Sequence, residues 1–270
     1  MRRAARTVMR SILLAGMLFP LYWMLASSLT PESQLFEAAA IVPRAPSLEH
    51  YRALFDERGF LVPIRNSLIV AGLTTLLVLP LATCCAYAVA RLHLPGKRLL
   101  LSLILAVSMF PQISIVPPLY LMLREVRLLN TYPGLVLPYL TFATPLAVWL
   151  LTAFFRQLPR DLEDAARLDG AGRLRVLRDI VLPLAAPGLA STAILTFLYC
   201  WNEFLFALSF TLGPERYTVP VAIALFRGRY QVPWGEVLAA SVTATIPVAL
   251  LVLAFQRRIV AGLTSGAAKG

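Results

Sequence analysis

Six long apolar runs constrain what this chain can fold into more than any other feature of its sequence. They occupy these residues of the 270: 11–29, 66–90, 99–123, 133–155, 185–208 and 236–256. Each has about the 20 residues that an α-helix needs to cross the hydrocarbon core of a bilayer. The runs are continuous rather than alternating, which favours helices over the strands of a membrane barrel. The sequence therefore predicts an all-α polytopic membrane protein with six transmembrane helices.

The distribution of charge predicts the orientation of these helices. Hydrophobic residues make up 59% of the chain and charged residues 14%, whereas soluble domains carry about 25% charged residues. With the N-terminus inside, 16 of the 25 basic residues and 5 of the 14 acidic residues fall on the inner side. The whole net charge of +11 then lies on one face, as expected for cytoplasmic loops. This topology places both termini in the cytoplasm and explains the basic excess without a nucleic-acid partner.

The first apolar run has two interpretations. Basic residues precede it and small residues follow at 26–28, as in a secretory signal. Its apolar region of about 18 residues exceeds the roughly 7–15 of a signal, which favours a retained span. After it, SLEHYRALF is predicted to form a short helix with Ser47 as its N-cap.

Two further segments carry structural expectations. The prolines of FPQISIVPP, residues 110–118, predict that the third span is broken or sharply bent. The segment 209–235 is long and aromatic, with Tyr217, Phe226, Tyr230 and Trp234. These rings are typical of an interfacial belt, and a docking or gating loop is the alternative.

The chain lacks an energy source of its own. No ionisable residue lies deep in the apolar runs, and Glu203 is the nearest exception. Ion-coupled transporters usually keep such residues as relays. There is no G-x-x-x-x-G-K-[ST] loop for a nucleotide and no metal or catalytic constellation. His50 and His93 are expected to be solvated loop residues. The sequence therefore predicts a non-enzyme without a cofactor, and any pumping must be powered by another polypeptide.

One segment concentrates charge in this apolar chain. Half of the twenty residues from 160 to 179 are charged. Pro159 suits a helix start, Gly170 and Gly172 favour a turn, and Pro183 ends a second short helix in which Leu174 and Leu177 share a side. We call residues 158–183 the charged segment. It is predicted to be a helix–turn–helix that binds a soluble partner; the alternative is an ordinary charged loop at the lipid headgroups.

The charged segment resembles the EAA motif of ATP-binding-cassette importer permeases, E-A-A-x(3)-G-x(9)-I-x-L-P. The positions that match in spacing are Asp164, Ala165, Ala166, Gly170, Ile180, Leu182 and Pro183. The departure is Asp164, where the family usually has Glu. Glu163, directly before it, is a candidate substitute.

The resemblance extends over nearly the whole chain. SLTPES, AYAVARLHLPGKR, LLNTYPGLVLPYLTFATPLAVWLL, WNEFLFAL and QRRIVAGLTSGAAKG all resemble the maltose- and trehalose-type carbohydrate permeases, specifically the second permease subunit of the heterodimer. This resemblance implies the type I importer permease fold. It also implies one transmembrane domain over residues 1–270, with the coupling-helix region at 158–183 and a cytoplasmic tail at 257–270.

The resemblance further implies the partners. They are a second permease subunit, two ATPase subunits that bind ATP and Mg, an extracytoplasmic sugar-binding protein and membrane lipid. Residues implied in coupling to the ATPase are Glu163, Asp164, Ala165, Ala166, Asp169, Gly170, Leu182 and Pro183. Residues of the tail implied in ATPase contact are Thr264, Ser265, Gly266, Lys269 and Gly270. The segment 209–235 would face the binding protein.

The implied function is import of a carbohydrate, such as trehalose or maltose, across a bacterial plasma membrane by a multi-pass subunit. Alternatives are a permease for glycerol phosphate or a polyol, and a nucleotide-independent carrier. Hydroxyl-rich ligands favour aromatic faces and hydrogen-bonding groups, so Tyr199, Trp201, Asn202 and Glu203 are candidates for the substrate path. Tyr and Trp near a span end are also typical interfacial anchors.

Overall fold

The chain is helical throughout the part that the structure describes. The computed structural model describes residues 2–36, 42–43, 45–226 and 232–267, with side chains for all of these except 2–5, 98 and 256–267. No strand occurs within these ranges. The helices, in chain order, are α1 (Arg2–Ser28), a 3-10 turn (Glu32–Gln34), α2 (Glu49–Arg52), a π-helical turn (Ala53–Glu57), α3 (Leu61–Arg91), α4 (Lys97–Ser108), α5 (Gln112–Glu125), α6 (Tyr132–Gln157), α7 (Asp161–Leu168), α8 (Arg173–Val176), a second π-helical turn (Leu177–Val181), α9 (Leu182–Leu184), α10 (Ala186–Trp201), α11 (Leu205–Phe210), α12 (Val219–Ala224) and α13 (Trp234–Ala267).

Within the described residues, four single helices are long and apolar enough to span a membrane, and the number of spans rises to six if two bent helix pairs each count as one. Single helices that are long and apolar enough lie within α1, α3, α6 and α13. Two further spans arise only if each of two bent pairs is counted as one. The pair α4–α5 bends by 84° between Ser108 and Gln112, which confirms the break predicted from the prolines of residues 110–118. The second pair joins the α8–α9 stretch to α10 at 79°, a bend that the sequence did not predict.

The fifth apolar run contains two helices. α10 ends at Trp201, and the chain resumes as α11 at Leu205. Glu203 explains the break, because its carboxylate accepts hydrogen bonds from the backbone N–H groups of Phe206, at 2.8 Å, and Ala207, at 3.1 Å. A carboxylate in this position satisfies N–H groups that have no partner at the start of a helix. The run 185–208 is therefore a helix, a break and a second short helix.

The core of the bundle is the contact between α3 and α6. α10 packs against both helices, and α1 packs along α13. Small or β-branched residues occupy the buried side of α3, namely Ala71, Val78, Ala82 and Ala86. The buried side of α6 repeats every four residues, at Ala143, Ala147, Leu151 and Phe155. Small side chains let helix backbones approach closely, which is the main source of helix association where lipid removes the hydrophobic effect.

Two expectations for the segment after α1 are wrong. The N-cap of α2 is Leu48 rather than Ser47, because the Leu48 carbonyl accepts the first helical bond, from Arg52 N. His50 is not solvated: it is 5% exposed, and its Nε2 lies 2.9 Å from the Thr30 carbonyl oxygen. Its ring packs against Gly235, where a Cβ would come within 2.0 Å of it. Burial follows from the packing of α2 against α13.

α3 separates two ends of the molecule. Its 31 residues correspond to a length of about 46 Å at 1.5 Å per residue. The start of α3 contacts the segment 211–226, and we call this the loop end. Arg91, the last residue of α3, contacts the charged segment, and we call this the charged end.

Candidate functional site

The charged segment folds as the sequence predicts at its turn. Gly170 has φ +83°, in the left-handed region. Its N–H donates to the Arg167 carbonyl at 3.0 Å, and the N–H of Ala171 donates to the Ala166 carbonyl at 2.9 Å. These two bonds form a Schellman motif, which ends a helix by satisfying its last carbonyl groups. Gly170 is needed because a side chain in the left-handed region is strained.

The tip of the charged segment exposes apolar side chains. Leu168, at the end of α7, is 90% exposed. Leu174 is 77% exposed, so the expectation that it shares a side with Leu177 is wrong. Val176 and Leu177 are buried instead, and a π-helical turn follows at Leu177–Val181. An exposed apolar tip flanked by charge is typical of a surface that binds another protein.

The residues implied in coupling to the ATPase are divided between two surroundings. Asp164, Ala165, Asp169, Gly170 and Pro183 are exposed, whereas Ala166 and Leu182 are half-buried against the core. Glu163 differs from all of them because its side chain is only 3% exposed. Its environment is the interior of this chain and not a surface.

An ion-pair network fixes Glu163 to α3. The Oε1 atom of Glu163 lies 2.6 Å from Nε of Arg91, whose side chain is also 3% exposed. Arg91 also donates from an Nη atom to the Leu158 carbonyl at 2.9 Å. Arg167 connects the two neighbouring carboxylates, at 3.6 Å from Glu163 and 3.1 Å from Asp164. The carboxylate of Glu163 is therefore paired with two arginines of its own chain.

A polar cleft of about 690 Å³ lies beside this network. Its lining includes four arginines and two carboxylates, namely Arg91, Arg160, Arg167, Arg173, Glu163 and Asp164. The excess of cations faces the same end of the molecule as the exposed tip.

The first part of the tail, residues 257–267, continues the last helix, α13. Thr264, Ser265 and Gly266 continue α13, and their side chains are not described. Lys269 and Gly270 lie outside the described residues. Their contact with an ATPase stays a prediction.

Three of the four substrate-path candidates share one cleft. Tyr199, Asn202 and Glu203 line a space of about 650 Å³ together with Gln112. The Gln112 side-chain amide donates to the Tyr199 hydroxyl at 2.7 Å. Gln112 was missed by sequence reasoning, although its position in the broken third span was the available signal. The lining contains one carboxylate and no cation.

Two of these candidates have structural roles. Trp201 is buried and stacks on Phe197 with 5.8 Å between ring centroids, so its faces are not open to a sugar. Glu203 is buried as the cap of α11. Tyr199 and the exposed Asn202 keep polar atoms at the cleft.

The loop end is clamped by buried hydrogen bonds. Asn66 of α3 donates to the carbonyls of Glu215, at 3.0 Å, and Tyr217, at 2.9 Å, and accepts from the Tyr132 hydroxyl at 2.8 Å. Ser67 accepts from Val219 N at 2.8 Å. These bonds fix the segment that precedes α12 onto α3.

An interfacial belt requires exposed rings, and the aromatic residues of 209–235 differ in their exposure. Phe226 is buried against Phe60 and lies under the Arg58 guanidinium. Tyr217 is half-buried, and Trp234 is exposed. Tyr230 lies outside the described residues.

The described part of the chain holds no cluster of three or more His, Cys, Asp or Glu residues that could bind a metal ion. The features that remain are an exposed helical tip beside the polar cleft at one end, a clamped loop at the other, and a cleft lined by Gln112, Tyr199 and Asn202 between bent helices.

Comparison with known proteins identifies relatives for this arrangement. Residues 78–265 match a family described as the inner membrane component of binding-protein-dependent transport systems. The chain is 45% identical to the trehalose transport system permease protein SugB of Mycobacterium tuberculosis, over 100% of this chain and 99% of that protein. It is 44% identical to the trehalose/maltose transport system permease protein MalG of Thermococcus litoralis, over 94% and 92% of the two chains.

A third relative transports a different cargo. The sulfoquinovosyl glycerol transport system permease protein SmoH of Agrobacterium fabrum is 42% identical, over 98% of this chain and 93% of that protein. Among solved structures, a bacterial ABC transporter that imports alginate matches with a TM-score of 0.77 at 20% identity, over 94% and 95% of the chains. The alginate transporter bound to a pentasaccharide-loaded periplasmic protein matches with a TM-score of 0.64 at 19% identity, over 93% and 94%. At these identities the two structures establish the fold.

Proposed function

The chain belongs to the family of inner membrane components of binding-protein-dependent transport systems, and on that premise we propose that it imports a disaccharide such as trehalose or maltose. It is a permease subunit of an ATP-binding-cassette sugar importer and not an enzyme, because ATP hydrolysis in this family belongs to a separate subunit. The observation that carries the proposal is the 45% identity to a trehalose permease over the full length of this chain.

We propose that the charged segment transmits movement of the ATPase subunits to the membrane helices of this chain. Its exposed tip, with Leu168, Asp164 and Ala165, would insert into a groove of one ATPase subunit. Two ATPases bind ATP and Mg in this proposal, and their closure moves the tip. The 79° bend between α9 and α10 connects the charged segment directly to a membrane helix, so movement of the tip changes the tilt of α10.

The charge distribution supports the proposed orientation. With the charged end and both termini on the inner side, the basic excess of the sequence falls on that side, as in cytoplasmic loops, which retain Lys and Arg. We therefore assign the charged end, both termini and the tail at 257–270 to the cytoplasmic side of a bacterial plasma membrane. A second permease subunit completes the pathway in this proposal, with lipid around both. An extracytoplasmic sugar-binding protein docks at the loop end.

The cleft between α5 and α10 is the proposed sugar path in this chain. Gln112, Tyr199 and Asn202 offer amide and hydroxyl groups, which bind neutral hydroxyl-rich ligands. A phosphate ester requires cations, and none lines this cleft. The composition therefore favours a sugar over glycerol phosphate, while a polyol remains the alternative cargo.

Reconstitution tests the proposal. The tagged chain is purified with the subunits that co-isolate, placed in proteoliposomes with the binding protein, and assayed with labelled trehalose, maltose, glycerol 3-phosphate and sorbitol. We expect ATP-dependent uptake of a disaccharide and no uptake with a non-hydrolysable ATP analogue.

Two outcomes would replace the proposal. Selective uptake of glycerol 3-phosphate or sorbitol would establish the alternative cargo. Uptake that continues without ATP, by a chain that isolates without an ATPase, would establish a nucleotide-independent carrier.

A further inference from the structure

Two carboxylates stand side by side in the charged segment, and they face opposite directions. Asp164 is exposed, whereas Glu163 is 3% exposed and lies 2.6 Å from the equally buried Arg91. We infer that Arg91 and Glu163 are positioning residues, which join the charged segment to α3 so that the two move as one rigid unit during transport. This inference rests on the proposed function, because it concerns how force from the ATPase reaches the membrane helices.

The position of Arg91 makes it a junction of three elements. It is the last residue of α3, its Nε lies 2.6 Å from Oε1 of Glu163 in α7, and an Nη atom donates to the carbonyl of Leu158, the C-cap of α6. A cation is also favoured at a helix C-terminus, where unpaired carbonyls carry partial negative charge. One guanidinium therefore connects both central helices of the bundle to the first helix of the charged segment.

Because Arg91 and Glu163 are both buried, separating either one from the other is unfavourable. Removing one member of a buried ion pair leaves an uncompensated charge, and this costs far more than losing a surface pair. Glu163 therefore cannot turn outward to a separate subunit without leaving Arg91 unpaired. On this inference Glu163 does not substitute for the shorter Asp164 at the partner surface, which is the opposite of the substitution that the sequence suggested.

Arg167 extends the junction to the surface. It lies 3.6 Å from Glu163 and 3.1 Å from Asp164, so it links the buried carboxylate to the exposed one. A displacement applied at Asp164 by a partner would thus act on a framework already fixed to α3 and α6. Without the Arg91–Glu163 pair, α7 keeps its helix and its exposed tip but loses this attachment.

The test is a set of four variants in the assembled transporter: Arg91→Gln, Glu163→Gln, the double Arg91→Gln/Glu163→Gln, and the exchange Arg91→Glu/Glu163→Arg. Arg175→Gln is the matched control, since Arg175 pairs with Asp179 at 3.6 Å on the exposed surface of the same segment. Three quantities are measured: hydrogen exchange of residues 161–168, ATPase retained on purification, and trehalose imported per ATP hydrolysed.

We expect each single variant to speed exchange of residues 161–168 by about tenfold or more, because a buried charge loses its partner. The import ratio should fall in both variants while the ATPase is retained. The double variant should be no worse than either single one, since the neutral pair leaves no buried charge. The charge-swapped variant Arg91→Glu/Glu163→Arg should recover part of the trehalose imported per ATP hydrolysed. The control Arg175→Gln should match the unaltered chain in all three measurements.

The inference is overturned by additive losses in the double variant, or by exchange rates at residues 161–168 that the single variants leave unchanged. Loss of the ATPase from Glu163→Gln but not from Arg91→Gln would instead make Glu163 a partner contact, and would overturn it too. Failure of the proposed function looks different: the unaltered assembly would import no trehalose, while the exchange rates would still depend on the pair and support the junction.

Discussion

Replacing Gly170 tests whether the turn of the charged segment transmits force. The backbone at Gly170 has φ +83°, and a Cβ there would meet no atom within 4 Å. Substitution by Ala therefore introduces backbone strain without a steric clash. That strain is about 1–2 kcal/mol for an L-residue in the left-handed region, and the lower entropy of the unfolded chain offsets about 0.4–1 kcal/mol of it.

The net effect of Gly170→Ala is about 1 kcal/mol, which corresponds to roughly a fivefold increase in local opening of the turn. Gly170→Pro is more severe. Proline fixes φ near −65° and removes the N–H that donates to Arg167, so we expect loss of about 3 kcal/mol or more at the turn. The ATPase should still assemble with this variant, but its hydrolysis should no longer drive import.

Hydrogen exchange of the Ala171 amide measures the opening directly, because that N–H donates to the Ala166 carbonyl across the turn. Sugar imported per ATP hydrolysed measures the consequence. Gly172→Ala is the control, since Gly172 has φ −68° and open space around it. Equal exchange in Gly170→Ala and Gly172→Ala would refute the strain argument. Unchanged import by Gly170→Pro would count against the coupling role of the charged segment.

Three further predictions concern the rest of the molecule. Asn66→Ala should destabilise the loop end by about 2–3 kcal/mol, because two backbone carbonyls and a tyrosine hydroxyl lose their partner; thermal unfolding of the assembly measures it, and an unchanged midpoint would contradict the clamp. Tyr199→Phe should raise the KM for sugar without lowering the ATPase rate if the cleft binds cargo, whereas an unchanged KM would remove Tyr199 from the path. The hydrogen bond from Asn130 lowers the pKa of Glu215, so its stabilisation is present above the unfolded pKa of about 4.3 and is lost as pH falls through the folded pKa. In Glu215→Gln the free energy of unfolding should therefore fall less steeply as the pH is lowered into the acidic range. The same pH dependence in this variant and in the unaltered chain would contradict this.

Much of the fold could be predicted from the composition of the chain and the spacing of its residues. Long apolar runs require helices because a bilayer offers no water to unpaired backbone groups. The prolines of residues 110–118 predicted the break between α4 and α5, because proline cannot donate the hydrogen bond that would continue a helix. The turn at Gly170 was equally local, since it depends on the conformational freedom of a single residue.

The features that the sequence did not predict depend on contacts that hydropathy and local spacing do not describe. His50 was expected in water because it lies in a loop between apolar runs, yet packing against α13 buries it. The only sequence signal for Gln112 was its position in the broken third span, because its role depends on Tyr199, which lies 87 positions away. The break at Glu203 falls inside an apolar run, where hydropathy alone favours a continuous helix.

In the charged segment, some features depend on the sequence alone and others depend on the tertiary structure. The sequence alone determined that a charged helix–turn–helix with an EAA-like pattern interrupts an apolar chain, because those features depend on spacing along one backbone. Only the tertiary structure decided which of two adjacent carboxylates faces inward. That choice depends on Arg91, 72 positions before Glu163, and a buried charge pairs with whatever opposite charge the packing of helices brings within reach.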